Sequence, residues 1–448
     1  ELLAERVGLP FWYVTLSASD ANRMAINLAR SVTGRSKLLM FNTGYHGTVD
    51  DTLKWMPRPG QVEFRWAHFR PGEDAAAVTK IAEAFNAKTD NTWIDGAIAG
   101  GGGTSIPAII SRIIGGDPMG ATQLNHGRQA QELIEAGMMT DLTDLAEAGG
   151  WRDIVHPVSL LDSCTVDGRV YCVPMNIHSA QWLWVSHGAF EKAGLPVPTN
   201  WDEFVASSAK LKEAGIVPLA MGQQGWQQSI AFGALTLGVV GVDSFLKVTG
   251  DKDAEEAKSE AWTRAFQAVA TARELARDSK VQDWNIATNM VIQDTAGGQI
   301  MGDWAQGEFQ VAGEIAGQDY SCLPGMGMNE ILDTGGDAFY FPLVEDEATK
   351  AAQLELASLL ISKEMQVDFN LAKGSLPVRG DIDLTAANDC MQKGLKILAD
   401  GGIMPSNRQT FDADSDQQIN DLMSEFWATD MSAADAQAAY VSIIENAE

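Results

Sequence analysis

The chain changes character near residue 60. Residues 1–60 hold seven Lys/Arg against five Asp/Glu, a net charge of +2; the whole chain of 448 residues carries −28, so residues 61–448 carry −30. Pro57 and Pro59-Gly60, both turn formers, sit at the change. The chain therefore reads as two unrelated sequences joined, and each functional expectation belongs to one part or the other. At this length two or three domains with sizeable cores are expected.

The acidic balance, with a pI near 4.5, argues against nucleic acid or an anionic membrane surface, since both need clustered Lys/Arg. No run of 18 apolar residues predicts a membrane span. The chain begins at Glu1 with no visible signal peptide; a mature exported protein looks like that, and so does a fragment. Of the four cysteines, Cys164 and Cys172 flank a hairpin signal centred on Asp167-Gly168, which pairs residue 164 roughly with 171. They form either a disulfide, in an oxidising compartment, or two reduced strand thiols. Cys322 and Cys390 show no motif, and no zinc-type cluster appears.

Residues 61–70 read as a strand, and Pro71-Gly72-Glu73-Asp74 opens a helix with Val78, Ile81, Ala82 and Phe85 at helical spacing. A strand near 93–99 ends in Gly100–Gly103, a helix covers 106–114 and a short strand follows near 121–124. This order predicts a doubly wound α/β lobe. Beyond Pro174, residues 178 to about 300 read as mainly helical, with a capping box at Thr199–Asp202. A strand over 338–342, a helix near 349–362 and an acidic helical tail complete the pattern.

Several motifs have plain readings. Gly100–Gly103 lacks the residues of a P-loop or dinucleotide fingerprint, and reads as a turn lying close to a ligand or neighbouring strand. Asp412-Ala-Asp414-Ser-Asp416 begins like a calcium loop, but Gln417 and Met423 stand where Gly and the bidentate Glu are needed. Acids at a helix start are the simpler account. HExxH and GxSxG are absent. Thirteen tryptophans are more informative, because aromatic faces stack on sugar rings while Asp, Asn, Gln and Lys bond hydroxyls. Trp226 lies among four glutamines in Gly222–Gln228, and Trp304 follows Gly302-Asp303; both contexts suit a polar ligand.

Residues 61–448 carry Ile-Ile-Gly-Gly-Asp-Pro (113–118), Val-Pro-Met-Asn-Ile-His (173–178), Asn-Trp-Asp-Glu-Phe (200–204), Pro-Leu-Ala-Met-Gly (218–222), Met-Gly-Asp-Trp-Ala (301–305) and Lys-Gly-Ser (373–375). In this order and spacing they resemble the periplasmic sugar-binding proteins of bacterial ABC importers, of the glucose-binding type. The resemblance implies an α/β, two-lobed, type II-like binding-protein fold with doubly wound lobes and a crossover hinge. Lobe one would span 61–175 plus 337–377 and lobe two 176–336 plus 378–448, with the first crossover at Tyr171–Asn176.

The same resemblance implies ligand-binding roles for Gln123, Asn125, Asn176, His178, Trp226, Asp303, Trp304, Asp337 and Lys373. The family His after the third strand is replaced by Asn125 or shifted to His126. A family Trp pair corresponds loosely to Trp66, His68 and Phe69, and Glu73 aligns with the Glu that follows it. A late family His has no counterpart near Gly401–Pro405. The implied function is capture of a neutral, glucose-like sugar in an interlobe cleft by a periplasmic monomer that hands it to membrane permease subunits. No catalytic residue, metal, cofactor or nucleic-acid partner is expected.

Residues 1–55 resemble a fragment of a class III aminotransferase of the glutamate-1-semialdehyde aminomutase type, through Leu-Ser-Ala-Ser-Asp-Ala-Asn (16–22) and Tyr45-His46-Gly47. The Schiff-base lysine of such enzymes lies further along, where this chain is something else, so no aminotransferase activity is expected. The alternative functions are a glycoside-acting enzyme using the same cleft, or a pyridoxal-phosphate enzyme.

Overall fold

The computed structural model describes residues 63–70, 73–99 and 101–447. The aminotransferase-like segment lies outside the described residues. The chain opens with β1 (Glu63–Arg70), α1 (Glu73–Lys88), β2 (Thr92–Ala99), α2 (Gly101–Ile114) and β3 (Ala121–Asn125). On α1, Ala77, Val78, Ile81 and Phe85 are buried at helical spacing, so one face docks and the rest meets water. Gly101, Gly102 and Gly103 form the first turn of α2 and not a loop before a helix starting at 106. Pro107 sits inside α2, where it lacks the N–H that would reach the Gly103 carbonyl; proline and glycine together masked the first turn of a helix whose remainder, 106–114, the sequence shows.

The hairpin lies where the Asp-Gly signal puts it: Thr165–Val166 pairs with Arg169–Val170, and Asp167 and Gly168 both take positive φ. Tyr171 N donates to Cys164 O at 2.9 Å, and a disulfide joins Cys164 to Cys172. β4 (Cys172–Pro174) follows.

The segment from 178 to 300 is less helical than its sequence suggests. It contributes β5 (Trp182–Ser186), α3 (Trp201–Glu213), β6 (Val217–Ala220), α4 (Gly225–Val240), α5 (Glu260–Leu275), α6 (Trp284–Ile292) and β7 (Ala296–Ile300). Every residue of β5 and β7 is buried. Strands covered on both faces lose the apolar–polar alternation by which strands are read. The cap of α3 sits one residue later than the expected box: Asn200 accepts from Glu203 N, and the Glu203 carboxylate accepts from Thr199 N and Oγ1.

The remainder comprises α7 (Ala305–Ala312), β8 (Tyr320–Pro324), β9 (Asp337–Tyr340), α8 (Glu347–Leu360), α9 (Lys363–Lys373), α10 (Asp389–Ala399), α11 (Ala413–Ala428) and α12 (Ala433–Asn446). Asp412 caps α11 by accepting from Ser415 N, which accounts for the acidic run there.

Two sheets organise these elements, as in a two-lobed α/β fold. The first has the order β2-β1-β3-β9-β4, with β1 parallel to β2 and β3, and β9 antiparallel to both β3 and β4. The second has the order β8-β5-β7-β6. α1, α8 and α9 pack about the first sheet; α4, α5, α11 and α12 pack together beside the second. The second core includes Phe204, Leu219, Phe232, Trp262, Phe266 and Tyr440, each contributing roughly 1.5–3 kcal/mol by burial. A second disulfide, Cys322–Cys390, ties β8 to α10 across 68 residues of sequence. Among the described residues no helix is long and apolar enough to cross a membrane.

Candidate functional site: a buried polar cluster between the two sheets

Two extended segments link the sheets. One leads from β4 to β5, the other from β8 to β9, and they are laced to one another. Met175 N donates to Asp337 O at 2.9 Å, His178 N to Gly335 O at 2.8 Å, and Asp337 N to Asn176 Oδ1 at 2.7 Å. Ala180 N donates to Asp333 Oδ1 at 2.7 Å. Gly336 permits the close approach, since a Cβ there would stand 2.2 Å from Asn176 O. A third link, Leu376–Pro377 just beyond α9, pairs with Asn176–Ile177.

His178 stands at the centre. Its Nδ1 lies 2.6 Å from Asp303 Oδ1, and its Nε2 lies 3.1 Å from Asp337 Oδ2. Asp303 follows the end of β7 in the second sheet, and Asp337 begins β9 in the first, so one imidazole joins carboxylates from both. Asn176 Nδ2 donates to Asp337 Oδ2 at 3.1 Å, Gln123 also hydrogen-bonds Asp337, and Lys373 Nζ lies 4.0 Å from the same oxygen. Asp303 is anchored by Ser179 N, which donates to its Oδ2 at 3.2 Å. His178, Asp303, Asp337 and Lys373 are 8%, 3%, 4% and 4% exposed.

Burial alone would depress the His178 pKa; the charges and hydrogen bonds of Asp303 and Asp337 outweigh it and lift it to about 10. Burial also acts to raise Asp337, but the His178 charge and the bonds from His178, Asn176 and Gln123 pull it below the ordinary carboxylate value. Burial, with repulsion from Asp337, raises Asp303, against the pull of His178. The cluster thus pairs two carboxylates with an imidazolium and an ammonium, close to charge balance, as buried charges require.

Two half-buried tryptophans border it. The Trp304 ring meets the His178 ring edge-on, centroids 5.1 Å apart, and lies 6.4 Å from Trp226. Gly302 makes room for Trp304, whose ring would come within 2.1 Å of a Cβ there. Trp226 Nε1 donates to Gln224 Oε1 at 2.6 Å, and Gln224 Nε2 donates to Asp283 Oδ1 at 2.5 Å. With its N–H already used, Trp226 offers a ligand its face alone.

The structure therefore brings Gln123, Asn176, His178, Asp303, Trp304, Asp337 and Lys373 together, with Trp226 beside Trp304. Asn125 pairs opposite Asp337 on the neighbouring strand. His126 bonds instead to Ser163 Oγ through Nδ1 at 2.9 Å. Trp66 and His68 belong to β1 and Glu73 opens α1, but their side chains lie outside the described residues. Sequence reasoning placed Gln224 among the glutamines around Trp226 but missed Ser179 and Asp283, which bond Asp303 and Gln224; nothing in their local sequence marks such roles.

The family described as bacterial extracellular solute-binding protein matches residues 71–364. The chain belongs to it. A Brucella melitensis relative named "Probable sugar-binding periplasmic protein" is 36% identical over 332 residues, 73% of this chain and 77% of the relative. A Rhizobium meliloti protein of the same name is 35% identical over 332 residues, covering 73% and 79%. In three dimensions, a chitin oligosaccharide binding protein superposes with a TM-score of 0.69 at 18% identity, over 85% of this chain and 98% of the other; at that identity the likeness concerns the fold. Membership makes this chain a solute-binding protein and not an enzyme, so the glycosidase and pyridoxal-phosphate alternatives fall away.

Proposed function

We propose that this solute-binding protein is the sugar receptor of an ABC importer, taking a neutral, glucose-like monosaccharide between its lobes in the periplasm and passing it, as a monomer, to membrane permease subunits. One observation carries the reading. A nearly charge-balanced, buried cluster of His178, Asp303, Asp337 and Lys373 joins the ends of two sheets beside the half-buried plates Trp226 and Trp304. Balance within the cluster leaves no net charge to attract an ion, while hydroxyl groups can share its donors and acceptors. The names of the Brucella and Rhizobium relatives point the same way.

In this reading lobe one is 61–175 plus 337–377 and lobe two is 176–336 plus 378–448. Asp337, Gln123, Asn125 and Lys373 bond hydroxyls from lobe one; Asp303, Trp226 and Trp304 act from lobe two, and Asn176 and His178 from the crossover. Trp66, His68 and Glu73 complete the lobe-one side. A ligand touching both lobes binds the closed form more tightly and so shifts the equilibrium towards it.

Tryptophan fluorescence titrated with glucose, galactose, mannose, xylose and maltose tests the proposal. Saturable quenching in the micromolar range, with the sugar recovered unchanged, is expected for one or two of them. No response from a folded protein to any of the five would reject the sugar class.

A further inference from the structure

The last residue of β3 carries a feature that the cluster does not use. Asn125 N donates to Gln129 Oε1 at 2.8 Å, and Asn125 Nδ2 donates to the same atom at 3.0 Å. The backbone bond removes the usual ambiguity of amide orientation. A backbone N–H can only donate, so the Gln129 atom beside it must be the oxygen. That oxygen can only accept, so the Asn125 atom beside it must be the NH2 group. The Asn125 main-chain carbonyl is occupied as well, by Tyr340 OH at 3.3 Å. Asn125 Oδ1 makes no hydrogen bond to any described residue.

The direction of that oxygen follows from strand geometry. Asn125 pairs directly with Asp337, and residues opposite each other in an antiparallel ladder share a face. Gln123, two residues earlier, shares it too. The Asn125 side chain therefore lies on the face where Gln123 and Asp337 meet in the polar cluster. Gln129 is only four residues on, in the middle of the short helical turn Arg128–Ala130, so the clamp is local.

We propose that Gln129 is a positioning residue that ties down the Asn125 amide so that its carbonyl oxygen faces the bound sugar. One hydroxyl of the sugar must then donate at this point. The inference rests on the sugar-receptor reading and sharpens it: this corner of the site reads a hydrogen-bond donor, and it discriminates against a group that can only accept. Asp337 already takes three donors, so Asn125 is the neutral acceptor on that face, and its orientation sets which hydroxyl direction fits.

The test uses the full chain with glucose and galactose, and with their deoxy and deoxyfluoro derivatives at each ring position. Fluorine cannot donate. At one ring position the fluoro sugar should bind about 10-fold or more weakly than the parent, and no better than the deoxy sugar, since an acceptor oxygen is left without its donor. In Gln129→Leu the amide is released and can turn its NH2 to the fluorine, so that penalty should shrink to roughly 3-fold or less. Gln129→Glu keeps an accepting oxygen in place and should retain the wild-type pattern, with matched melting curves showing all variants folded. An unchanged fluorine pattern in Gln129→Leu, with Asn125→Ala weakening the parent sugar, would overturn the role of Gln129 alone. Unchanged affinity in Asn125→Ala would remove Asn125 from the site and the inference with it. Silence of the folded protein towards all five sugars of the fluorescence panel would instead reject the reading on which it rests; if mannose, xylose or maltose is the one that binds, its deoxy and deoxyfluoro derivatives take the place of the glucose and galactose series.

Discussion

The two sides of the polar cluster differ in kind. On the side of the five-stranded sheet, Asn125 and Asp337 sit at strand ends, Gln123 in the middle of β3 and Lys373 at the end of α9, and all four are nearly fully buried. On the side of the four-stranded sheet, Trp226 and Trp304 sit at helix starts and stay half-buried, with Asp303 alone carrying charge into the cluster. Strand ends are held by ladders on both sides, so hydrogen-bonding groups there keep their positions without a ligand. Ring faces at helix starts need only be covered. One side supplies pre-arranged polarity, whose loss leaves partners stranded; the other supplies apolar area, whose loss leaves a gap that water can fill.

Mutations can break or sharpen that contrast. Asp337→Asn should do most, because it withdraws a buried charge from both His178 and Lys373. Losing one member of such a set costs about 3 kcal/mol in binding, on the order of 100-fold in sugar Kd by calorimetry. Asp303→Asn should follow, at roughly 30-fold, since His178 retains Asp337 and Ser179 N can still donate to the remaining oxygen. Matched melting curves separate lost binding from lost fold. Trp226→Ala should cost about 10-fold, within the roughly 1–3 kcal/mol of an aromatic contact. If it weakened binding more than Asp337→Asn, the contrast between the two sides would be reversed.

The smallest effect concerns pH. The folded His178 pKa, at about 10, lies above the value of roughly 6.5 expected in the unfolded chain. The unfolded state therefore gives up its proton first, and folding stability from this group is complete below about pH 6.5 and fades as pH rises through about 10. The melting temperature should drop over that window by a few degrees more in the wild type than in His178→Gln. Parallel curves would mean that the imidazole is not held charged between Asp303 and Asp337.

Much of the first sheet was legible. Local signals mark β1, α1, β2 and β3 because each alternates or repeats within a short window, and the Asp167-Gly168 turn announces its own hairpin. The helix over 106–114 was legible, but its first turn from Gly101 was hidden by its glycines and Pro107, and β5 and β7 were hidden because burial on both faces erases alternation. In the site, Asp303 and Trp304 were legible as a carboxylate beside a ring, and the resemblance to sugar receptors singled out Asp337 and Lys373. His178 as the bridge between Asp303 and Asp337 was not legible, because its partners lie 125 and 159 residues away. Gln129 was missed although only four residues from Asn125, since a glutamine after a strand has many ordinary roles. The bridge between Cys322 and Cys390 likewise has no local cue.

By itself the sequence determined the elements whose information is local: the turns, the amphipathic helices, and the family signature whose model matches residues 71–364. Only the tertiary structure decided which carboxylates share a histidine, which oxygen of Asn125 is left over, and which cysteines meet. Those outcomes depend on how two sheets and three linking segments close on one another. Hydrogen bonds and charge pairing act at about 3 Å in space whatever the separation along the chain, so they become readable only once the chain has folded.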